Sequence, residues 1–129
     1  MRIKTVFTVN SVYAFLFGAG FILFPNLCSS LIGFESGGDS FLIARALGIF
    51  VLFKALLTLL VRNAEESDAR RAVVLSLMTL YTLLILYKLA LNLVYGIPFT
   101  VMLALIYVLH VGFVTGYGYS LVGKPPATA

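Results

Sequence analysis

Charged side chains are scarce in this 129-residue chain: Asp, Glu, Lys and Arg together make up 11% of it, while 61% of its residues are apolar. Soluble domains carry roughly 25% charged and about 45–50% apolar residues. The shortage of charge excludes a water-soluble monomer and a disordered chain. The mean hydropathy of +1.07 indicates a protein surrounded by lipid. The length predicts one integral membrane domain over residues 1–129.

Cysteine is nearly absent, since Cys28 is the single one in the sequence. A disulfide, a CxxC redox pair and a cysteine metal cluster each need more than one, so all three are excluded. Carboxylates are absent from the long apolar runs, where a proton-coupled carrier usually needs one. The ligand sets of zinc proteases and di-iron bundles are missing too. We therefore expect no metal site, and no enzyme activity of the chain alone, because no acid–base pair or nucleophilic triad can be assembled from its residues.

Four apolar runs are long enough to cross a lipid bilayer, which takes about 20 residues at ~1.5 Å each. Backbone groups in lipid must be satisfied within their own segment, so these runs are helices. The predicted fold is an all-α, antiparallel up-down bundle of four transmembrane helices. The first run begins like a secretory signal, but it exceeds the usual ~7–15 residues and no small-x-small cleavage site follows, so we interpret it as an uncleaved helix. The predicted spans cover about 5–24, 41–61, 72–95 and 99–122.

The breaks between the runs predict the connections. Pro25 can open a short helix, since its missing N–H would be unpaired there anyway. Leu27, Leu31 and Phe34 then share one helical face, which predicts a short interfacial segment after the first span. Residues 96–98 (Gly-Ile-Pro) leave almost no room, so the third and fourth spans form a tight hairpin.

The cations in loops and chain ends would all lie on one side of the membrane, whereas the other side carries only Glu35 and Asp39. The positive-inside rule then predicts a cytoplasmic (inner) membrane protein with both termini in the cytoplasm. Because the nine Lys and Arg residues are scattered, we expect no nucleic-acid partner. The loop cations are Arg2, Lys4, Arg62, Arg70, Arg71 and Lys124.

Three cations lie inside or near the ends of predicted spans. Lys54 and Lys88 each lie about seven residues, or ~10 Å, from the nearer end of their helix. Either both side chains snorkel to the interface, or their ammonium groups face a cavity, an anionic lipid or a partner subunit, since no acid lies at matching depth. Arg45 is expected to pair with Glu35 and Asp39, and binding of an anionic head group is the alternative.

His110 lies near the bilayer midplane of the fourth span, and an ionisable residue at that depth indicates a function. One hypothesis makes it the axial ligand of a haem iron or a chlorophyll magnesium. The alternative is an imidazole hydrogen-bonded to a neighbouring helix, for example through Tyr13, Ser76 or Thr79. No cofactor is required by the sequence.

Small residues recur four positions apart on three of the four spans, a spacing that lets helix backbones approach closely. They either pack the bundle internally or form a face that docks another subunit. The third span is rich in Leu and has no Gly, so we expect it to be the most lipid-exposed. The pairs are Ala14 and Gly18, Ala44 and Gly48, and Gly112 and Gly116.

The layout resembles the small four-helix bacterial membrane proteins of the DoxX-like kind. The likeness lies in the short basic start, the glycine-bearing first helix, the opening Ala-Arg-Ala-Leu-Gly of the second helix at 44–48, and the charged turn before the third. That resemblance implies an accessory role in quinone or thiol redox complexes. We expect an accessory or interaction subunit of a larger membrane complex, surrounded by lipid and by other subunits or copies of itself. The alternative is an intramembrane binder or carrier of a lipid, quinone, haem or chlorophyll-type pigment.

Overall fold

The computed structural model describes residues 3–34, 40–96 and 98–122, and these residues form helices and no strands. All helices except the second are long and apolar enough to cross a membrane. The predicted all-α bundle of four transmembrane helices is therefore confirmed. The helices are α1 (Ile3–Leu23), α2 (Pro25–Leu31), α3 (Ser40–Val61), α4 (Asp68–Tyr95) and α5 (Val101–Val122). We call the end where α1 begins and α5 ends the basal end, and the opposite end the apical end.

The largest boundary difference is at α4, which begins four residues before the predicted start. The Ser67 side chain accepts a hydrogen bond from the backbone N–H of Arg70 at 3.2 Å and so caps this helix. At the other end of α4, Gly96 adopts the left-handed conformation with φ of 63°, which glycine tolerates without steric cost. The sequence offers Ser67 or Asp68 as the cap of this helix, and Ser67 takes that role, so a polar first turn extends α4 beyond the apolar run that begins at residue 72.

The predicted segment after the first span is the short helix α2, which begins at Pro25 as expected. Its apolar residues Leu27 and Leu31, and Phe34 just beyond it, are exposed toward the surroundings of the bundle. The carbonyl of Leu31 accepts a hydrogen bond from the Thr100 hydroxyl at 2.8 Å. Thr100 in turn accepts from the Leu103 N–H at 3.1 Å and caps α5, so this threonine joins the end of α2 to the start of α5.

The helices associate as two close pairs, α1 with α3 and α4 with α5. Gly18 and Gly48 make the α1–α3 contact: a Cβ added at Gly18 would lie 2.9 Å from the Gly48 carbonyl oxygen, and one at Gly48 would lie 2.8 Å from the Gly18 carbonyl oxygen. The buried Ala14 and Ala44 belong to the same small-residue pairs. These two pairs therefore pack the bundle internally. Gly112 on α5 is exposed, and among the described residues an added Cβ would meet no atom within 4 Å beyond its chain neighbours and the nearby backbone of α5.

Long side chains fill the space between the two pairs of helices and form the core toward the basal end. α4 is the least buried of the spans, with 17% of its apolar window buried, as its Leu-rich sequence predicts. Small residues make the close contact between α1 and α3. The large aromatic and polar side chains make the contacts between this pair of helices and the pair formed by α4 and α5. The core residues are Val6, Phe7, Val74, Leu77, Tyr81, Phe113 and Tyr117.

Candidate functional site

Asn10 links three helices through a completely buried side-chain amide. Its Nδ2 donates to the Tyr117 hydroxyl of α5 at 2.6 Å, and its Oδ1 accepts from the Tyr81 hydroxyl of α4 at 2.5 Å. A buried amide is costly unless its hydrogen bonds are made, and here both ends of the group are paired. The Asn10 contacts therefore hold α1, α4 and α5 in one arrangement.

Tyr117 corrects a prediction made from the sequence. The positions of Tyr117 and Tyr119 near the end of the last span predict that both mark the inner membrane interface. Tyr119 is indeed 68% exposed, but Tyr117 is completely buried in the core. Two residues correspond to about 200° of helical rotation, so the two side chains point to nearly opposite sides of α5.

His110 is buried between two polar side chains from other helices. Its Nε2 lies 3.4 Å from the Tyr13 hydroxyl oxygen, and its Nδ1 lies 3.4 Å from the Lys88 ammonium nitrogen. An ammonium group can only donate, so Nδ1 acts as the acceptor, and the hydrogen on Nε2 faces the Tyr13 oxygen. Tyr13 is one of the partners that the sequence suggested. Both ring nitrogens already face side chains, so a haem or chlorophyll metal bound to His110 would have to displace either Tyr13 or Lys88.

Lys54 reaches the same region from α3 and lies against two aromatic faces. Its Nζ is 4.7 Å from the centroid of the Tyr81 ring and 5.6 Å from that of Tyr13. The Tyr81 ring is in turn 4.9 Å from the His110 ring. Both lysines thus point into the bundle, which favours the cavity-facing alternative over snorkelling. We refer to Lys54, Lys88, His110, Tyr13 and Tyr81 as the cationic cluster.

Within the described ranges, no carboxylate forms an ion pair with Lys54 or Lys88. The ion pair found there joins Arg70 to Glu66, at 3.1 Å. The only acid in the described spans is Asp68, at the basal start of α4. Contact with an aromatic face is worth about 0.5–2 kcal/mol, far less than the cost of removing an ammonium ion from water. The arrangement can therefore accept an anion or a strong hydrogen-bond acceptor.

An apolar pocket of about 190 Å³ lies toward the apical end and opens partly toward the lipid. Its wall includes Phe17, whose ring centroid is 4.7 Å from that of Tyr13, so the pocket adjoins the cationic cluster. Burial raises the pKa of the Cys28 thiol, which keeps this residue in its neutral form. We call this space the apical pocket, and it is lined by Leu16, Phe17, Cys28, Leu31, Ile32 and Met102.

Comparison of the chain with protein-family models, curated proteins and solved structures found no match. The resemblance to DoxX-like proteins stays a prediction. The assignment of function accordingly rests on the chemistry of the cationic cluster and the pocket beside it.

The structure brings together only some of the residues that the sequence singled out. Lys54, Lys88 and His110 meet in the cationic cluster, whereas Arg45 and Gly112 lie on exposed surfaces. The Arg45 guanidinium carbon is 5.6 Å from the centroid of the Phe41 ring on the same helix. Its predicted partners at positions 35 and 39 lie outside the described residues. Gly116 is partly buried in α5.

The sequence did not identify Tyr81, which belongs to the cationic cluster, or Tyr117, which accepts the Asn10 hydrogen bond beside it. The spacing in the sequence nevertheless points to both tyrosines, because Tyr117 follows His110 by seven residues and Tyr81 precedes Lys88 by seven. Seven residues are close to two helical turns, so each tyrosine shares a helix face with a residue already singled out. That spacing alone does not say whether the shared face is turned to lipid or to protein.

Arg70 was predicted to be a loop cation, but it lies in the first turn of α4 and is 8% exposed. Its Nη1 binds Glu66, and its guanidinium carbon lies 5.8 Å from the centroid of the Phe7 ring. Its Nε and Nη2 have no hydrogen-bond partner in the described part of the chain. The contact of its guanidinium group with the Phe7 ring places this residue at the edge of the basal core.

Proposed function

We propose that this protein is an intramembrane binder of a membrane-soluble small molecule whose head group interacts with the cationic cluster. The observation that carries the proposal is the direction of the two lysines. Lys54 from α3 lies over the Tyr81 ring, and Lys88 from α4 lies beside His110, whose ring contacts that of Tyr81. No acid from the described spans lies beside either lysine. A bound head group with oxygen acceptors supplies the missing interaction, and the apical pocket receives apolar parts of the same molecule.

The accessory subunit expected from the sequence is the second candidate. That expectation relied on unpaired lysines and on three small-residue faces. The lysines point inward, away from a neighbouring subunit, and two of the three faces are used between α1 and α3. The observation that still favours a subunit is Gly112, which lies on an exposed surface of α5 with open space above it. A close helix–helix contact with another membrane protein fits that position.

We also propose that the protein lies in the cytoplasmic (inner) membrane with its basal end in the cytoplasm. The support is that Lys4, Arg62, Arg70 and Arg71 all lie at the basal ends of the described helices or in the connection between α3 and α4. We further propose that the chain alone catalyses no reaction. The cationic cluster contains donors and rings but no carboxylate that would complete an acid–base pair. Enzymatic turnover by the purified chain that is lost in His110→Ala would contradict the proposed lack of enzyme activity.

Gentle purification tests the proposed function. The wild-type chain is isolated in mild detergent, and bound small molecules are extracted and identified by mass spectrometry, together with an optical spectrum. We expect a molecule that is retained by the wild type and lost when Lys54→Met and Lys88→Met are combined. Arg45→Met is the matched control, because it removes an exposed cation from α3 outside the cluster.

The two candidates predict different outcomes of this purification. A binder purifies alone with its small molecule, whereas a subunit purifies with other chains in fixed stoichiometry and loses them in Gly112→Leu. Equal retention of the small molecule by the double lysine variant would contradict the proposed role of the cationic cluster.

A further inference from the structure

We propose that the bound molecule is a single-chain amphiphile with an acidic head, either a carboxylate or a phosphate, whose head lies between Lys54 and Lys88 and whose alkyl chain enters the apical pocket. This inference rests on the proposed function and names the class of ligand. It is carried by three features of the described residues: the charge balance of the cationic cluster, the donors that remain free there, and the size and position of the pocket.

The charge balance favours an anion over a neutral acceptor. Two ammonium groups reach the interior, and the described parts of the spans offer only Asp68, at the basal start of α4. A quinone carbonyl accepts hydrogen bonds but leaves both positive charges uncompensated in a medium where unpaired charge is costly. A carboxylate or phosphate both accepts the hydrogen bonds and compensates charge, and charge-assisted hydrogen bonds are about twice as strong as neutral ones.

The donors that remain in the cluster suit a head group with two or three oxygens. The Lys54 ammonium touches only aromatic faces in the described residues, so its N–H donors stay available. Lys88 uses one direction toward His110 Nδ1 and keeps two further donors. The Tyr13 oxygen faces His110 Nε2 and its own O–H remains free to donate. Donors from α1, α3 and α4 can thus reach one anionic group.

The apical pocket favours a single alkyl chain. Its volume of about 190 Å³ exceeds the ~150 Å³ of an engineered cavity that holds benzene. It is smaller than the roughly 300–1,000 Å³ of sites that enclose a whole drug-sized ligand. The pocket therefore takes the first part of one chain, and its opening lets the remainder lie among the lipid tails.

The apical pocket lies close enough to the cationic cluster for one molecule to occupy both. Phe17, in its wall, follows Tyr13 by one helical turn, or about 6 Å along α1. The Tyr13 ring lies next to both the wall of the pocket and the lysine, with its centroid 4.7 Å from that of Phe17 and 5.6 Å from the Lys54 ammonium nitrogen. An amphiphile placed with its head at the lysines accordingly has its first methylene groups beside Phe17 and the remaining chain directed toward Met102.

Equilibrium binding with matched probes tests the inference. The purified full chain in non-ionic detergent is dialysed against labelled palmitate, lysophosphatidate, hexadecanol and a decyl-substituted benzoquinone. We expect palmitate or lysophosphatidate to bind at least about tenfold more tightly than hexadecanol, because the alcohol keeps the chain and loses the charge. Comparison of palmitate with lysophosphatidate distinguishes the carboxylate source from the phosphate source.

Variants locate the bound molecule. Lys54→Met and Lys88→Met are each expected to weaken binding of the acidic probe at least about tenfold. Arg45→Met, which removes an exposed cation, is expected to leave binding unchanged. Met102→Trp, which fills the apical pocket, is expected to weaken binding while both lysines stay in place. Circular dichroism and size exclusion confirm that each variant remains folded.

The outcomes separate this inference from the proposed function. Lysine-dependent binding of the quinone with no preference for acids would overturn the acidic head and leave the proposed function intact. Equal binding of palmitate and hexadecanol by the wild type would overturn the acidic head as well. Failure of every probe to bind, together with no co-purified small molecule, would overturn both.

Discussion

Asn10 is the residue whose replacement we expect to destabilise the bundle most clearly. Asn10→Leu removes the hydrogen bonds to Tyr81 and Tyr117 and leaves both hydroxyl groups in an apolar interior. Side-chain hydrogen bonds between transmembrane helices contribute about 0.6 kcal/mol on average and about 1.7 kcal/mol at most. Losing two of them predicts a decrease of about 1–3 kcal/mol in the free energy of unfolding, measured by titration with sodium dodecyl sulfate in mixed micelles.

Thr8→Val provides the control on the same helix. The Thr8 hydroxyl donates to the Lys4 carbonyl at 2.8 Å within α1, so its loss breaks no contact between helices. We expect the free energy of unfolding of this variant to stay within about 0.5 kcal/mol of the wild type. A decrease as large as that of Asn10→Leu would show that the interhelical amide contacts are not what stabilises the bundle.

At the level of helices, we expect the contact between α1 and α3 to be the most sensitive to an added side-chain atom. In Gly48→Ala the added Cβ would lie 2.8 Å from the Gly18 carbonyl oxygen, which belongs to the backbone and cannot rotate away. The two helices must separate, and overpacking of this kind costs about 1–3 kcal/mol. We expect a lower melting temperature in detergent, followed by circular dichroism.

Gly112→Ala is the matched control, because its added Cβ would meet no atom of another helix within 4 Å in the described part of the chain. Both variants replace a glycine in the middle of an apolar helix by the same residue, so any difference reports the surroundings. We expect the melting temperature of Gly112→Ala to equal or exceed that of the wild type. Similar destabilisation by both substitutions would contradict the importance of the Gly18–Gly48 contact.

At the level of the whole molecule, the proposed orientation can be measured by thiol labelling. In a Cys28→Ala background, a cysteine replacing Gly38 is expected to react with a membrane-impermeant maleimide in intact cells. A cysteine replacing Ala64, in the connection between α3 and α4, is expected to react only after lysis. The reason is the positive-inside rule, since Arg62 lies in the connection of Ala64, and Arg70 and Arg71 lie in the first turn of α4 that follows it. The reverse labelling pattern would disprove the orientation.

Several features of the molecule follow from the sequence without knowledge of the tertiary structure. The number of spans, their helical character and their approximate bounds follow because lipid offers no hydrogen bonds to the backbone and because bilayer thickness sets the length. Pro25 predicts the start of α2 for an equally local reason, the missing N–H of proline. The predicted third span began at residue 72 because it followed only the apolar run, and Arg70 and Arg71 were assigned to a loop. The sequence also offered Ser67 or Asp68 as the cap of this helix, and Ser67 takes that role.

Only the tertiary structure decided which face of each helix is turned inward. In a soluble bundle, apolar residues mark the inner face, but here the lipid-facing side is as apolar as the core, so the pattern of hydrophobicity carries little information about rotation. The Gly18–Gly48 contact and the Asn10 hydrogen bonds determine that rotation. For this reason the sequence left open whether Lys54 and Lys88 snorkel. Packing directs Lys88 toward His110 and Lys54 toward Tyr81, two rings that lie far apart in the sequence and meet only in the folded bundle.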